Sequence, residues 1–203
     1  PLSPYTTLFR SYPEIAGVAL SSHIPSDPPI LELFLPEGFT GDQTQLMHQM
    51  SIDSEFIPVI GMKIATGRNF SSKISTDPGH AALINETAAR RLGWEDPVGK
   101  TIVSYRSPGP VTKTIIGVVR DFHIESLHKE IGPFFIENNP SFFRRYILIK
   151  IKSGNLPATM ELLKKKWTEI VPQLPFDFSF LDETFDRQYK EIGSASCRGG
   201  GGG

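Results

Sequence analysis

The chain has 203 residues, with 21 Lys or Arg against 22 Asp or Glu and a formal net charge of −1. Nucleic-acid-binding domains usually carry a strongly basic face, so this charge argues against nucleic acid as a partner. The single cysteine, Cys197, lies close to the C-terminus. The rest of the chain therefore has no disulfide framework, thiolate zinc site or cysteine nucleophile. The longest strongly apolar run, residues 115–119, is far shorter than the ~20 residues of a membrane span.

Both ends of the sequence are predicted to be non-native. Residues 4–11 are what the codons CCC TAC ACG ACG CTC TTC CGA TCT encode, which is a widely used sequencing adaptor, and residues 192–198 resemble its translated reverse complement. The alternative is a cloning scar with a flexible glycine linker. In either case we predict that residues 1–11 and 191–203 carry no fold, and that residues 12–190 belong to a longer natural protein.

Hydrophobic periodicity and punctuation by Pro and Gly predict a mixed series of strands and helices. Asp53 and Asn85 are suited to begin helices as N-caps, and Gly61 and Gly93 are suited to end them. The predicted elements are, in chain order, strand 14–24, strand 31–35, strand 44–52, helix 54–60, strand and turn 62–70, strand 81–84, helix 86–92, strand 101–105, strand 111–123, strand 145–152, helix 157–171, strand 176–180 and helix 182–190.

Four potential metal ligands, Asp121, His123, Glu125 and His128, fall within eight residues. Imidazole and carboxylate groups suit zinc, and on a strand the first three would share a face. The spacing is not the helical arrangement that places two His one turn apart. The preferred interpretation is a strand end whose polar side chains bond neighbouring backbone groups. No metal is therefore predicted, and a soluble metal-dependent hydrolase using these four residues is the alternative function.

A Ser-His-Asp triad is suggested by Ser22, His23 and Asp27. Adjacent residues on a strand point to opposite faces, so His23 is not expected to serve Ser22 as a base. We predict neither catalytic nor cofactor-binding residues.

Four phenylalanines, Phe134, Phe135, Phe142 and Phe143, flank residues 138–140. Core packing is the preferred interpretation. The alternative is an exposed aromatic loop that contacts a substrate or a partner, because exposed apolar patches mark interfaces.

A series of short motifs resembles a known family in order and spacing. The motifs are Gly67-Arg68-Asn69-Phe70, Ile84-Asn85-Glu86, Leu92-Gly93-Trp94, Pro97-Val98-Gly99-Lys100, and residues 116–123, 125–128 and 181–189. Across essentially all of residues 12–190 they are similar to the MacB-like periplasmic core domain of FtsX/MacB-type ABC transporter permeases.

The resemblance implies an α+β fold in two parts. A porter-like α/β subdomain would be built from both chain ends, residues 12–65 and 140–190, and a mostly β subdomain, residues 66–139, would be inserted between them. The domain would lie at the periplasmic face of the bacterial inner membrane, anchored by transmembrane helices that this sequence does not include.

The resemblance also implies a function without catalysis and without a cofactor. The domain would couple ATPase-driven membrane motion to the handling of a substrate or partner in the periplasm. The implied partners are a cytoplasmic ATPase subunit, a second permease copy or domain, and a periplasmic or outer-membrane protein.

Overall fold

The computed structural model describes residues 3–24, 30–105, 109–122, 130–139, 145–152 and 154–181. Runs of successive strands are interspersed with helices along this part of the chain, which confirms the α+β class. The elements are α1 (Ser3–Arg10), β1 (Ile15–Ser21), β2 (Ile30–Pro36), β3 (Gln45–Ser51), α2 (Phe56–Ile60), β4 (Ile64–Gly67), α3 (Asp77–His80), β5 (Ala81–Asn85), α4 (Glu86–Arg91), β6 (Thr101–Ser104), β7 (Val111–Val119), β8 (Phe134–Glu137), β9 (Tyr146–Ile151) and α5 (Leu156–Ile170).

Two compact units make up the chain. The larger unit holds α1 to α4 and all of these strands, and the smaller unit holds α5. Seven strands of the larger unit form one mixed sheet in the order β4-β7-β5-β8-β3-β2-β6. Strands β1 and β9 form a separate antiparallel pair.

The seven-stranded sheet closes on itself because β6 also pairs with β7. Strand β7 has three neighbours: its first part pairs with β6 and its last part with β4 along one edge, while β5 pairs along the other edge. The circuit β7-β5-β8-β3-β2-β6 is therefore a small barrel. Closure of this kind protects strand edges from pairing with other chains.

Alternate residues of the barrel strands fill its interior. Phe34, Met47, Ile102 and Ile115 are buried, whereas their strand neighbours are mostly exposed or half-buried. Phe34 packs against Phe135 with ring centroids 4.4 Å apart. Helix α4 adds Ala88 and Ala89 to the same core, and its C-cap residue Leu92 also packs there. Each large apolar side chain buried here stabilises the fold by about 1.5–3 kcal/mol.

Helix α4 begins and ends as the sequence predicts. The Asn85 side chain accepts a hydrogen bond from Ala88 N at 3.0 Å, and Gly93 has a φ of 66° just past the helix. Helix α2 ends at Gly61, with a φ of 85°, but Asp53 is not its N-cap residue. The N-cap residue is Glu55, and its backbone N donates a hydrogen bond to the Asp53 carboxylate at 3.2 Å.

Helix α1 corrects the prediction that residues 1–11 carry no fold. Thr6 and Phe9, one helical turn apart, are both buried. The Arg10 guanidinium donates to Val18 O at 2.8 Å, which attaches the helix to β1. The prediction rests on the origin of the segment, whereas the spacing of Thr6 and Phe9 gives the helix one buried face whatever that origin. The non-native origin of the segment stays a prediction.

Helix α5 matches the helix predicted over residues 157–171, but the strand predicted over residues 176–180 is wrong. Phe176, Phe178 and Phe180 alternate, yet this segment is not a strand and Phe178 is 55% exposed. Neighbouring rings pack on each other, with centroids 5.4 and 5.6 Å apart. Alternation alone does not make a strand, because a strand also needs a hydrogen-bonding neighbour. The helix predicted over residues 182–190 lies outside the described residues.

Strand β8 was not among the predicted elements, since its sequence Phe-Phe-Ile-Glu has no polar alternation. It is buried and pairs with both β3 and β5. The predicted subdomains at 12–65, 66–139 and 140–190 stay a prediction. The strand pairings place β2 and β3 in the same sheet as β4 to β8.

Candidate functional site

The two sheets of the larger unit meet where β1 ends. A β-bridge joins Ser21 to Ile52, the residue after β3. Ser22 N donates to Ser51 O at 2.9 Å, and Asp53 N donates to Leu20 O at 3.1 Å. We call residues 20–23 and 51–53 the sheet junction. Backbone hydrogen bonds, in addition to the connecting loops, therefore attach the β1–β9 pair to the barrel.

Buried side chains reinforce the sheet junction. The Ser22 hydroxyl accepts a hydrogen bond from Ser51 N at 2.9 Å and lies 2.8 Å from His23 Nδ1. The Ser21 hydroxyl donates to His23 O at 2.5 Å. All four side chains are buried. A buried polar group must be hydrogen-bonded to avoid a large desolvation cost, so these contacts favour one geometry at the junction.

Ser22 and His23 are not separated by strand alternation as predicted. Strand β1 ends at Ser21, so the alternation does not extend to these two residues, and they are in contact. The contact still does not form a nucleophile–base pair that a substrate could reach. Ser22 is fully buried and its oxygen already binds Ser51 N, while Asp27 lies outside the described residues.

Three polar side chains point into the barrel: Gln49 from β3, Lys113 from β7 and Glu137 from β8. Lys113 Nζ lies 2.6 Å from one carboxylate oxygen of Glu137 and donates to Gly79 O at 2.9 Å. Gln49 Nε2 donates to the other carboxylate oxygen at 2.8 Å. Lys113 and Glu137 are only 3% and 2% exposed. Each of these buried charges depends on the other, because a buried charge without an opposite charge beside it keeps most of the free-energy cost of leaving water.

This ion pair was not among the predicted features, although the position of each charge in its strand indicates it. Lys113 lies two residues before the buried Ile115, and Glu137 lies two residues after the buried Phe135. Both charges therefore fall at inward positions of their strands. Opposite charges at inward positions of two strands indicate a buried pair, once the two strands are known to lie in one barrel.

Asp121, one of the four candidate metal ligands, is held by neighbouring protein groups. Its carboxylate accepts hydrogen bonds from Thr87 N and Asn85 Nδ2 at 2.9 Å each. It also accepts from the Thr87 hydroxyl at 2.9 Å and from the Arg90 guanidinium at 2.8 Å. Burial raises the pKa of Asp121, but the hydrogen bonds from Arg90 and Thr87 together outweigh it and hold that pKa below its ordinary value.

This arrangement gives Asp121 a role in the fold. It ties the chain after β7 to the first turn of α4, where Asp121 N also donates to Glu86 Oε2 at 3.0 Å. The other three candidates, His123, Glu125 and His128, lie outside the described residues. Among the residues that the structure describes, no group of three His, Cys, Asp or Glu is placed to hold a metal ion. The hydrolase alternative has no support in this part of the chain.

The four phenylalanines do not form one exposed loop in the described structure. Phe134 and Phe135 are buried on β8, which fits core packing and corrects the idea that these two rings contact a partner. Phe134 stacks on His48 and packs against Phe122, with centroids 4.9 and 5.1 Å away. Phe142 and Phe143 lie outside the described residues, and a partner contact through them stays a prediction.

Comparison with solved structures identifies the fold. The chain is similar to the periplasmic region of MacB from Actinobacillus actinomycetemcomitans, with a TM-score of 0.60, 15% identity, and coverage of 83% of this chain and 73% of that one. It is also similar to the extracellular domain of the noncanonic ABC-type transporter YknZ from Gram-positive bacteria, with a TM-score of 0.54, 16% identity, and coverage of 79% and 81%. No curated protein matches the sequence.

Among the helices of the described ranges, none combines the length and the hydropathy that a membrane span requires. The sequence profile of the MacB-like periplasmic core domain matches residues 10–165, which is most of the chain. This match agrees with the fold comparison and covers the motifs from Gly67 to His128, whereas the motif over residues 181–189 lies beyond the matched range. The chain therefore belongs to the MacB-like periplasmic core domain family, and is an extracytoplasmic domain of a MacB/FtsX-like ABC transporter permease.

Proposed function

We propose that the domain couples ATPase-driven motion of the permease's membrane part to the handling of a substrate or partner in the periplasm. The observation that carries the proposal is the antiparallel ladder between β1 and β9. It runs from the pair Ile15–Ile151 to the pair Ser21–Tyr146. The ladder joins an early and a late segment of the chain, so a displacement of either segment is shared by both.

The sheet junction is the route by which such a displacement would reach the barrel. It connects β1 to β3 through the Ser21–Ile52 bridge, and Ile52 N donates onward to Glu137 O on β8 at 2.9 Å. A closed barrel with a packed interior moves as one body, because close-packed cores transmit strain with little compression. In this proposal the β1–β9 pair receives the motion and the barrel carries it.

The proposal makes the chain a mechanical module and assigns it no catalytic residue. ATP would be bound by a separate cytoplasmic ATPase subunit. A second permease copy or domain and a periplasmic or outer-membrane protein would be the further partners. Transmembrane helices of the same permease would hold the domain at the periplasmic face of the inner membrane. Membership of the family supports these assignments.

Energy transfer between the barrel and the bilayer tests the proposal. The cysteine-free full-length permease, with its ATPase, is placed in lipid nanodiscs. A donor dye is attached at Thr112→Cys, an exposed position on β7, and an acceptor is attached to lipid headgroups. We expect the transfer efficiency to change with Mg-ATP and not with Mg-ADP. A transfer efficiency that is the same under both nucleotides would contradict the proposal.

A variant of the sheet junction separates coupling from ATP hydrolysis. Ser22→Ala removes the side chain that accepts from Ser51 N. We expect this variant to hydrolyse ATP at the normal rate but to show a smaller change in transfer efficiency. The matched control is Ser71→Ala, a half-buried serine in the loop after β4 that is not part of the junction.

A further inference from the structure

One outer face of the barrel is apolar where an antiparallel sheet normally presents polar side chains to water. Leu31 and Leu33 on β2 are 51% and 49% exposed, Leu46 on β3 is 44% exposed, and Tyr105 just after β6 is 50% exposed. We call this surface the leucine face. Its members are Leu31, Leu33, Leu35, Leu46, Val103 and Tyr105.

The strand register makes the leucine face continuous. Leu33 lies opposite Leu46 on one side of β2, and Leu35 lies opposite Val103 on the other side. Continuing the second register by one residue places Tyr105 beside Leu33. The face is about 10 Å wide and about 13 Å long by standard strand dimensions. None of its six residues is Asp, Glu, Lys or Arg.

We propose that the leucine face is a contact surface between two copies of this domain, packed face to face about a two-fold axis over Leu33. The proposal rests on the proposed function, because it names the second copy as the partner that this surface binds. A two-fold contact requires a surface that is complementary to itself. The leucine face meets this requirement about Leu33.

The symmetry of the face can be followed residue by residue. Along β2, a leucine lies two positions before and two positions after Leu33. Across the strands, Leu46 lies on one side and Tyr105 on the other. A two-fold axis that lies in the plane of the face can run along β2 or perpendicular to it. Either axis places each apolar side chain of one copy opposite an apolar side chain of the other copy. Since the face has no charged residue, pairing it with itself meets no like-charge repulsion.

The exposed area is consistent with a reversible dimer. Four half-exposed large side chains amount to roughly 400 Å², which lies within the roughly 300–600 Å² of the largest, and often functional, apolar patch on a monomer. Two copies would bury about twice that apolar area, and a polar rim would bring the total to the lower end of the ~1,200–2,000 Å² range of specific interfaces. A permanent dimer usually buries more, so the association is expected to be weak outside the membrane.

Sedimentation equilibrium of the 203-residue chain tests the proposal. We expect a reversible dimer with a dissociation constant of roughly 10–500 μM. Leu33→Lys would place two ammonium groups against each other at the axis and should weaken dimerisation at least tenfold. Leu174→Lys makes the same change at a leucine that is 53% exposed outside the face, and should leave dimerisation unchanged.

Cysteine cross-linking locates the axis. Sheets packed face to face lie about 10 Å apart, beyond the ~4.4–6.8 Å Cα separation of a direct disulfide. In a Cys197→Ser background, a short bis-maleimide that spans this gap should therefore join two Leu33→Cys chains into a covalent dimer. Leu174→Cys is the matched control and should be trapped much more slowly. If Leu33→Lys lowers the thermal stability of the chain, Leu46→Lys repeats the test at a second position.

The proposal is overturned if the chain stays monomeric up to about 1 mM, or if a dimer persists in Leu33→Lys. It is also overturned if a monomeric chain binds lipid vesicles or another protein through this face. These measurements involve no ATP. A monomeric chain would therefore overturn only the dimer proposal. A barrel position that does not respond to ATP would overturn only the proposed coupling function.

Discussion

Asp77 shows how a single carboxylate can order a loop of this domain. It is 1% exposed and accepts hydrogen bonds from both terminal nitrogens of Arg68 at 2.7 Å each. Ser71 N adds a third hydrogen bond at 2.8 Å. The bonds from Arg68 hold the pKa of Asp77 below its ordinary value against the opposing effect of burial, and Ser71 N lowers it further. The Gly67-Arg68-Asn69-Phe70 motif thus includes the side chain that neutralises a buried charge.

The lowered pKa of Asp77 predicts loss of stability in acid. An unfolded Asp has a pKa of about 3.9, so the folded carboxylate stabilises the domain fully above that value. The contribution is lost as the pH falls through the lower, folded-state pKa. We expect Asp77→Asn to be less stable than wild type at pH 7, with the difference shrinking below about pH 4.

Urea unfolding at a series of pH values measures this difference. Asp96→Asn removes an exposed carboxylate and serves as the control, which should follow the wild type throughout. If the stability difference between Asp77→Asn and wild type stays constant down to pH 2.5, about 1.4 units below the unfolded pKa, the proposed role of the lowered pKa is wrong.

The pairing of β4 with β7 depends on two glycines that face each other. Gly67 lies opposite Gly117 in the antiparallel register. A Cβ on Gly117 would lie 2.5 Å from Arg68 O, and Gly67 adopts a φ of 78° that other residues rarely take. The absence of side chains lets β4 approach β7 closely enough to place Arg68 next to Asp77.

We therefore expect Gly117→Ala to destabilise the domain by about 1–3 kcal/mol or more, because the backbone of β4 would have to move. Gly109→Ala is the matched control, since a Cβ there has nothing within 4 Å. Chemical unfolding of both variants gives the comparison. Equal stability of the two would show that β4 can shift without cost.

At the scale of the whole barrel, the ion pair of Lys113 and Glu137 joins strands that are distant in sequence. Lys113 comes from β7 and Glu137 from β8, and Gln49 adds β3. The pair lies in the interior that the closed circuit creates. Its two charges favour the arrangement in which these strands meet, since any other pairing would leave a charge buried alone.

A double-mutant cycle tests this coupling. Lys113→Met alone should cost about 3–5 kcal/mol because Glu137 is left buried without its cation, and Glu137→Leu alone should cost a similar amount. The double variant should be far more stable than the sum of the two losses predicts. Lys166→Met breaks the exposed pair with Glu169 and should cost under about 1 kcal/mol. Additive losses at Lys113 and Glu137 would refute the coupling.

Local signals in the sequence were sufficient for most individual elements of this protein. Alternation and apolar runs predicted β1, β2, β3, β6, β7 and β9, and Asn85 with Gly93 marked α4 accurately, because these features act within a few residues. The ordered motifs also identified the family. The same local pattern failed at residues 176–180, where alternation was present without a strand neighbour.

Only the tertiary structure decided which distant residues meet. The closed circuit of the barrel, the Lys113–Glu137 pair, the contact of Ser22 with Ser51 and the burial of Asp121 all depend on strands from separate parts of the chain. The leucine face likewise becomes one surface only when β2 lies between β3 and β6. Periodicity reports which side of a strand is apolar, but it carries no information about the neighbouring strand, since that choice is made by packing over the whole barrel.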